Sequence, residues 1–168
     1  MDYNEPMLLA LLSDTHDNAA TTKAALKLLA PFKPAAYLHA GDLVDAGMLF
    51  HFAGIGEFHF VFGNNEFDHA GIRSQALALD LHCHGEMADL TFAGKRIALL
   101  HGHDGGLMQK ALSGAYDYVI HGHTHVRKDV RIGRTRVINP GALQRARVKS
   151  VALLDVAKDE LKFIEVPG

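Results

Sequence analysis

Three histidines, His121, His123 and His125, occupy alternate positions in the stretch VIHGHTHV, directly after a short apolar run. Residues two apart on a strand share a face, so imidazoles at this spacing could bind metal together. They could equally be polar residues at an exposed strand end, because the chain has 12 histidines among its 168 residues. The spacing alone does not decide between these interpretations, and the other polar clusters of the chain are needed.

Four more apolar runs end in polar clusters, which read DTH, GD, GNN and HGH, and GHTH is the fifth such cluster. The candidate ligands in the five clusters are Asp14, His16, Asp42, Asn64, His101, His123 and His125. Each cluster alone is explained equally well as a helix cap or a turn. Five successive clusters of this composition are difficult to obtain from turn chemistry alone, which favours one shared site.

The types of candidate ligand indicate the kind of metal. Imidazole, carboxylate and amide oxygen, without thiolate, suit Mn²⁺, Fe²⁺, Co²⁺, Ni²⁺ or Zn²⁺. Seven ligands are too many for one ion of four to six coordination. Two ions that share a carboxylate would lie about 3.5–4 Å apart, an arrangement used in phosphoester hydrolysis.

The apolar runs before these clusters are short and several are continuous, which predicts strands buried on both faces. Segments of helical composition separate the runs at residues 19–30, 45–54 and 71–80, and a fourth helix is predicted at 105–114. Alternation of strands and helices indicates a parallel sheet with crossover helices. Ligands bind beyond the carboxyl ends of such strands, so the clusters are expected to converge.

The second half of the chain adds three predicted hairpins, at residues 88–100, 126–138 and 150–166. Hairpin strands are antiparallel, so we predict an α/β fold with mixed sheets that pack on each other and carry helices outside. A length of 168 residues and an apolar content of 48% predict one domain, residues 1–168.

The formal net charge of −2 predicts no general attraction to nucleic acid or to an anionic membrane. Eight of the 17 Lys and Arg residues nevertheless fall between Arg127 and Lys149. This segment is either the solvated surface of a hairpin, the favoured interpretation, or a rim that attracts an anionic substrate.

The single cysteine, Cys83, cannot form an intramolecular disulfide, which fits a reducing compartment. The N-terminal sequence MDYNEPMLLALLSD begins acidic, and its apolar run is too short for a signal peptide or a membrane span. We therefore expect a soluble, cytoplasmic protein.

The motifs SDTHDN, GDL, GNNE, HGH and GHTH, followed by INPG, resemble in order and spacing those of the calcineurin-like metallophosphoesterases. The similarity is greatest to the small single-domain phosphodiesterases of prokaryotes, and it extends from about Met7 to the final hairpin. It implies a four-layer α/β/β/α sandwich with two mixed β-sheets, outer helices and two divalent metal ions at the strand ends. Mn²⁺ is the first expectation for these ions, with Ni²⁺, Fe²⁺, Co²⁺ and Zn²⁺ as alternatives.

The resemblance also implies a role for each candidate ligand. Asp42 matches the carboxylate that bridges the two metals. The other ligands of the first metal are matched by Asp14, His16 and His125. Those of the second metal are matched by Asn64, His101 and His123. Two neighbouring metals thus account for the two neighbouring histidines of GHTH.

The chain departs from the family at the third motif. Many members read G-N-H there, and the histidine is thought to assist the leaving group, whereas this chain has Asn65. An amide has no proton to release near neutral pH, so Asn65 cannot act as a general acid. His103 is the nearby alternative, because the HGH loop should border the same cavity, but a structural role is an equal alternative.

The remaining histidines match no ligand position. His121 and His39 are expected to support the site rather than to bind metal. The others are expected at structural or surface positions, namely His51, His59, His69, His82 and His84.

We therefore predict a metal-dependent phosphoesterase, more specifically a phosphodiesterase, that hydrolyses a small phosphodiester by a hydroxide bridging two metals. The candidate catalytic residues are Asp42, Asn64, Asn65 and His103. The sequence does not reveal the oligomeric state, and the resemblance implies a homo-oligomer as one option, because related small phosphodiesterases often self-associate.

Two other functions compete with this prediction. A non-catalytic protein-interaction scaffold, like the retromer subunit that resembles this family, is the main alternative, but all seven ligand positions are filled here. A zinc hydrolase of the metallo-β-lactamase type is suggested by HGHDGG. It requires H-x-H-x-D-H, which Gly105 and Gly106 interrupt.

Overall fold

A computed structural model describes residues 5–168 of the chain as two β-sheets with helices. The first sheet has six strands, in the order β11-β10-β1-β2-β3-β4. In chain order they are β1 Leu8–Leu12, β2 Ala36–His39, β3 Phe58–Phe60, β4 His82–Cys83, β10 Ser150–Asp155 and β11 Glu160–Glu165. Strands β1 to β4 are parallel to one another, whereas β10 is antiparallel to both β1 and β11.

The second sheet has five strands, in the order β5-β6-β7-β9-β8. They are β5 Met87–Phe92, β6 Lys95–Leu100, β7 Tyr118–Ile120, β8 Lys128–Ile132 and β9 Thr135–Asn139. The β5–β6 and β8–β9 pairs are antiparallel, whereas β6–β7 and β7–β9 are parallel. The prediction of an α/β fold with mixed sheets and three hairpins is therefore confirmed.

Three α-helices connect these strands, each begun by a side chain that accepts a backbone N–H of the first turn. They are α1 Ala19–Leu29, α2 His69–Ala78 and α3 Gly105–Ala111, capped by Asn18, Asp68 and Asp104. The remaining predicted helix, at 45–54, forms only a 3₁₀ helix, Ala46–His51, because glycines at 47 and 54 disfavour an α-helix. Within residues 5–168 no helix is long and apolar enough to cross a bilayer.

Three groups of buried apolar side chains follow the layers of the molecule. One group joins the first sheet to α1 and α2, for example through Leu12, Leu29 and Ile72. A second joins the two sheets face to face, and a third joins the second sheet to α3. The order of layers is therefore helix, sheet, sheet, helix.

The carboxyl ends of the parallel strands meet at one edge of the paired sheets, where the loops pack very closely. A Cβ added at Gly63 would lie against the carboxylate of Asp42, and one added at Gly122 would lie against Ser13 and Asp14. Glycine at these two positions therefore lets four polar loops pack closely together.

Candidate metal centre

Two buried aspartates form the middle of this point of convergence. Asp14 follows β1 and Asp42 follows β2, and their exposed fractions are 0% and 2%. The loops are joined by backbone hydrogen bonds, from Asp14 N to Gly41 O at 3.0 Å and from His16 N to Asp42 O at 3.0 Å. A buried carboxylate is costly unless it is paired, so both side chains need positive partners.

The backbone around these aspartates is left-handed at several candidate ligands. Five of the seven have φ between 41° and 70°, and they are Asp14, His16, Asp42, His123 and His125. Such a conformation costs about 1–3 kcal/mol per residue and clusters at functional sites. The local structure is therefore shaped to direct these side chains inward rather than to relax the backbone.

The two oxygens of Asp14 have different partners. Oδ2 accepts hydrogen bonds from the Ser13 hydroxyl at 2.6 Å and from His123 N at 3.1 Å. Oδ1 lies 3.0 Å from Nε2 of His125 and 3.5 Å from Nε2 of His16. One oxygen of Asp14 thus orients the carboxylate and leaves the other to face imidazoles.

Asp42 faces imidazoles from two different loops. Its Oδ2 lies 3.4 Å from Nε2 of His16 and 3.3 Å from Nε2 of His101. Asn65 also contacts this carboxylate, because its backbone N donates to Oδ1 at 3.1 Å and its Nδ2 donates to Oδ2 at 2.8 Å. Asp42 therefore lies between a histidine matched to the first metal and one matched to the second.

Backbone carbonyls fix the tautomers of two histidines. Nδ1 of His101 donates to Ala40 O at 2.8 Å, and Nδ1 of His125 donates to Arg145 O at 3.2 Å. A carbonyl oxygen only accepts, so in the neutral ring Nε2 carries a lone pair directed at a carboxylate. Nε2 of His16 and of His101 is buried and has no hydrogen-bond partner in residues 5–168. Metal-ligating histidines have this arrangement, with one nitrogen on a carbonyl and the other aimed at the ion.

The charges in the site shift its pKa values in opposite directions. Burial alone would raise the pKa of Asp42, but the nearby imidazole of His101 and the hydrogen bonds from Asn65 outweigh it and lower that pKa. Similarly, burial is outweighed for Asp14 by the nearby imidazole of His16 and the hydrogen bond from Ser13, so its pKa is lowered. The pKa of His101 is raised, because Asp42 and Asp14 outweigh burial. Both carboxylates are therefore ionised near neutral pH and attract cations.

Two groups of side chains in residues 5–168 have ligand atoms within 4.8 Å of one another. One is Asp14, His16 and His125, and the other is Asp14, Asp42 and His101. The two groups share Asp14 and lie side by side. The donor set, carboxylate oxygens and imidazole nitrogens with unpaired Nε2 atoms, fits two neighbouring divalent ions.

The other candidate site residues lie around this centre. The ring of His123 is 5.1 Å from that of His101, between centroids, and the ring of His103 is 5.4 Å from His101. Both are exposed at the surface of the site. The side chain of Asn64 is exposed and makes no hydrogen bond with the rest of residues 5–168, whereas that of Asn65 reaches Asp42.

Three buried residues outside the predicted ligand set hold the loops of the site together. Glu66 accepts from Leu43 N at 2.8 Å and from Gly63 N at 3.1 Å, and burial raises its pKa to about 7. Asn139, in INPG, donates to Gly122 O at 3.0 Å. Nothing in the sequence near these two residues reveals these long-range contacts.

The third is His39, for which a supporting role beside GD was expected. Its Nδ1 accepts from Gly41 N at 3.1 Å, and its Nε2 contacts Thr15 Oγ1 at 3.3 Å. Burial lowers its pKa to about 3. His39 therefore joins the DTH and GD loops as a neutral imidazole.

His121 is buried beneath the centre rather than inside it. Its Nδ1 contacts Gly122 O at 3.0 Å, and its Nε2 has no partner in the described chain. Burial lowers its pKa to about 4. The ring packs near Gly102 and Met108, so it supports the HGH loop and α3.

The basic segment from Arg127 to Lys149 divides into two parts. Four arginines of the first part form ion pairs: Arg127 with Glu165, Arg131 with Asp159, Arg134 with Asp117, and Arg136 with Asp129 and Asp159. These pairs agree with a solvated hairpin surface. Arg145 and Arg147 are exposed and form no ion pair within residues 5–168, and Arg145 O accepts from His125.

Sequence comparison relates the chain to phosphoesterases. The profile of the calcineurin-like phosphoesterase superfamily domain matches residues 7–159. Phosphodiesterase MJ0936 of Methanocaldococcus jannaschii is 27% identical over an alignment 168 positions long, which covers 94% of this chain and 98% of that protein.

Structure comparison gives the same fold. An archaeal phosphodiesterase has a TM-score of 0.88 and 24% identity, and the match covers 95% of this chain and 100% of the other. The E. coli phosphoesterase YfcE has a TM-score of 0.72 and 17% identity, covering 96% and 100%. Zinc-complexed Vps29 of Entamoeba histolytica has a TM-score of 0.67 and 21% identity, covering 95% and 98%. At these identities the three likenesses show the fold alone.

Proposed function

The chain belongs to the calcineurin-like phosphoesterase superfamily, and from this premise we propose that it is a phosphodiesterase that works with two divalent metal ions. The observation that carries the proposal is the pair of buried carboxylates faced by imidazole nitrogens without other partners. The name of the relative MJ0936, a phosphodiesterase, supports the choice of phosphodiesters over monoesters.

Within this proposal, Asp14, His16 and His125 hold one ion and His101 holds the other, with His123 and Asn64 completing the second set. Asp42 would be shared by the two ions, because its Oδ2 is near both His16 and His101. Two divalent ions bound there would supply Lewis acidity and lower the pKa of water towards about 7, so that no side-chain base is needed.

The residues of this chain then have positioning roles. The carbonyls of Ala40 and Arg145 hold His101 and His125 in the tautomer that binds metal. The amide of Asn65 donates to Asp42 and orients it. Asn65 has no proton to release, so the leaving group has no general acid from this motif, and His103 at the rim is the one remaining candidate.

The finer features of the function follow from the sequence. We propose Mn²⁺ as the metal ahead of Ni²⁺, Fe²⁺, Co²⁺ and Zn²⁺, a small phosphodiester rather than nucleic acid as the substrate, and the cytoplasm as the location. Self-association remains a prediction.

A metal and substrate screen tests the proposal. Purified protein is assayed on bis- and mono-p-nitrophenyl phosphate with each of the five metals, and we expect turnover of the diester with at least one. Asp14→Asn should abolish it, whereas Asp17→Asn, an exposed aspartate in the same loop, should not. No turnover with any metal would favour the protein-interaction scaffold instead.

A further inference from the structure

Phe67 is the most exposed large apolar side chain of residues 5–168, at 85% of its surface. It lies two residues after Asn65, whose side chain contacts Asp42. Two residues span at most about 7 Å of chain, so Phe67 stands at the rim of the metal centre. A single exposed apolar residue is ordinary on a protein surface, but few are held beside a site of buried charge.

The segment that carries Phe67 is fixed on both sides. The preceding residue, Glu66, is buried and accepts two backbone N–H groups, and its own carbonyl accepts from His69 Nε2 at 2.9 Å. The following residue, Asp68, caps α2 by accepting from Gly71 N at 3.0 Å. His69 also stacks on Phe62, with ring centroids 4.0 Å apart and 4° between planes. Phe67 is therefore held outward by its neighbours and does not lie on a loose loop.

We propose that Phe67 is a stacking platform for an aromatic group of the substrate, specifically the base of a nucleotidyl phosphodiester. This inference rests on the proposed function, because it places the scissile phosphate at the two aspartates. The base of a nucleotide is one sugar away from its phosphate, which is within reach of a ring two residues from Asn65. A rigid, exposed aromatic face accepts any base with little loss of conformational entropy.

The surroundings favour a base over other apolar occupants. The neighbours of Phe67 in the chain are polar, namely Asn64, Asn65, Glu66 and Asp68, so the segment itself offers one apolar ring and not a run of apolar side chains. A second protein chain needs a broad apolar surface, whereas a base needs one free ring face and polar groups around it.

Binding of two phosphate monoesters, which resemble products, tests the inference without any leaving group. The ligands are thymidine 5′-monophosphate, which has a base, and glycerol 2-phosphate, which has none, and their affinities are measured by calorimetry with Mn²⁺ present. Stacking of a base on an aromatic side chain raises the binding affinity by about 5- to 100-fold. We expect Phe67→Ala to weaken thymidine 5′-monophosphate binding by that factor and glycerol 2-phosphate binding by less than about 2-fold, with Phe67→Trp restoring the affinity.

Leu77 provides the matched control. It is 84% exposed on α2, eight residues beyond the start of that helix and so about 12 Å along its axis. Leu77→Ala should leave both affinities unchanged. Equal affinities of Phe67→Ala and wild type for thymidine 5′-monophosphate would overturn the inference.

Two further readouts separate this inference from its rivals. If wild type binds thymidine 5′-monophosphate through Phe67 but hydrolyses no ester, the proposed function fails and the stacking site stands. If Phe67→Ala keeps its affinity but shifts from dimer to monomer in sedimentation velocity, Phe67 belongs to a contact between copies of the chain and the stacking site is wrong.

Discussion

The protein has two clusters of histidines, and they differ in what the ring nitrogens face. The metal-centre cluster consists of His16, His101, His123 and His125, and it surrounds two buried carboxylates. The edge cluster consists of His59, His82 and His84, on and beside strands β3 and β4. The edge histidines mainly face one another.

The ring contacts of the edge cluster saturate its central residue. Nδ1 of His59 is 2.8 Å from Nε2 of His84, and Nε2 of His59 is 2.7 Å from Oε1 of Glu57. His82 stacks on His59, with centroids 4.7 Å apart. Both ring nitrogens of His59 already have partners, so His59 has no free nitrogen with which to bind an ion together with its neighbours.

The backbone separates the two clusters as well. His59 and His82 lie on regular strands, whereas three histidines of the metal centre, His16, His123 and His125, have left-handed φ values. An abundance of histidine is therefore not in itself evidence of a metal site. Buried carboxylates, imidazole nitrogens without partners and strained backbone are the evidence when they occur together.

The largest expected effect comes from removing a buried carboxylate, because the edge cluster contacts only an exposed one, that of Glu57. Asp42→Ala should lose metal from both sites and reduce phosphodiesterase activity by about 10³-fold or more, because each ion contributes several kcal/mol to the transition state. Elemental analysis and bis-p-nitrophenyl phosphate assays measure the two effects.

The matched control for Asp42→Ala is His59→Ala in the edge cluster. That variant should keep its metal content and its activity per folded molecule, while thermal unfolding shows a lower stability, because a buried hydrogen-bonded ring is removed. Full occupancy of both sites in Asp42→Ala protein would contradict the bridging role. Loss of metal from His59→Ala protein would remove the distinction between the clusters.

The positions of the candidate ligands in the fold were predictable from the sequence because the signal is local. An apolar run predicts a buried strand, and Asp or His directly after it must lie at the strand end, as at Asp14, Asp42 and His101. Strand β4 was not predicted, because it has two residues and no apolar alternation. Its pairing with β3 is a tertiary effect that no local pattern contains.

Two of the supporting residues were not predictable for the same reason. Glu66 and Asn139 act through hydrogen bonds to backbone groups 3 to 23 positions away, and their types fit many surface turns, whereas support from His39 was expected from its place before GD. The contact of Asn65 with Asp42 was likewise hidden, although both motifs were recognised. A sequence identifies what can bind a metal more readily than what holds the ligands in place.

The second prediction compares one histidine of GHTH, His125, with the histidine just before that motif, His121. His125→Ala removes a nitrogen that faces Asp14, so activity should fall by about 10³-fold with loss of one metal equivalent. His121→Ala removes a ring buried beneath the centre, and a supporting residue of this kind is worth about 10–100-fold. Metal content and kcat/KM are measured for both. An active, metal-replete His125→Ala protein beside an inactive, metal-free His121→Ala protein would show that the register of the motif is wrong.

The third prediction concerns His103 as a proton donor to the leaving group. Without a histidine at position 65, departure of the leaving group is expected to lack a proton donor worth about 10²–10⁴-fold. Rates on aryl phosphodiesters should therefore fall steeply as the leaving-group pKa rises, and His103→Ala should not change that slope. Asn65→His provides the comparison that should make the slope shallower. A shallow slope in the wild type that steepens in His103→Ala would identify His103 as the acid.

The smallest expected effect lies in the edge cluster and concerns stability rather than activity. Burial, with the charges of His59 and His82, lowers the pKa of His84 from 6.5 to about 4. The unfolded chain therefore binds more protons than the folded one between these values, so the free energy of unfolding falls as the pH drops from about 6.5 to 4. Above pH 6.5 this contribution is constant. Because the ring is half-buried and partly screened by solvent, we expect an effect of about 1 kcal/mol.

His84→Gln isolates this contribution, because Nε2 of His59 donates to Glu57 and its Nδ1 accepts from His84, and a glutamine amide nitrogen can donate to the same Nδ1 but does not titrate. Urea unfolding of wild type and His84→Gln at pH 4.5 and pH 7.5 gives the four free energies. Other acidic and basic groups are common to both proteins, so their contributions cancel in the difference. The wild type should lose about 1 kcal/mol more than His84→Gln between the two pH values. An equal loss in both would mean that His84 titrates as it does in the unfolded chain, and its ring would then be solvated rather than packed in the edge cluster.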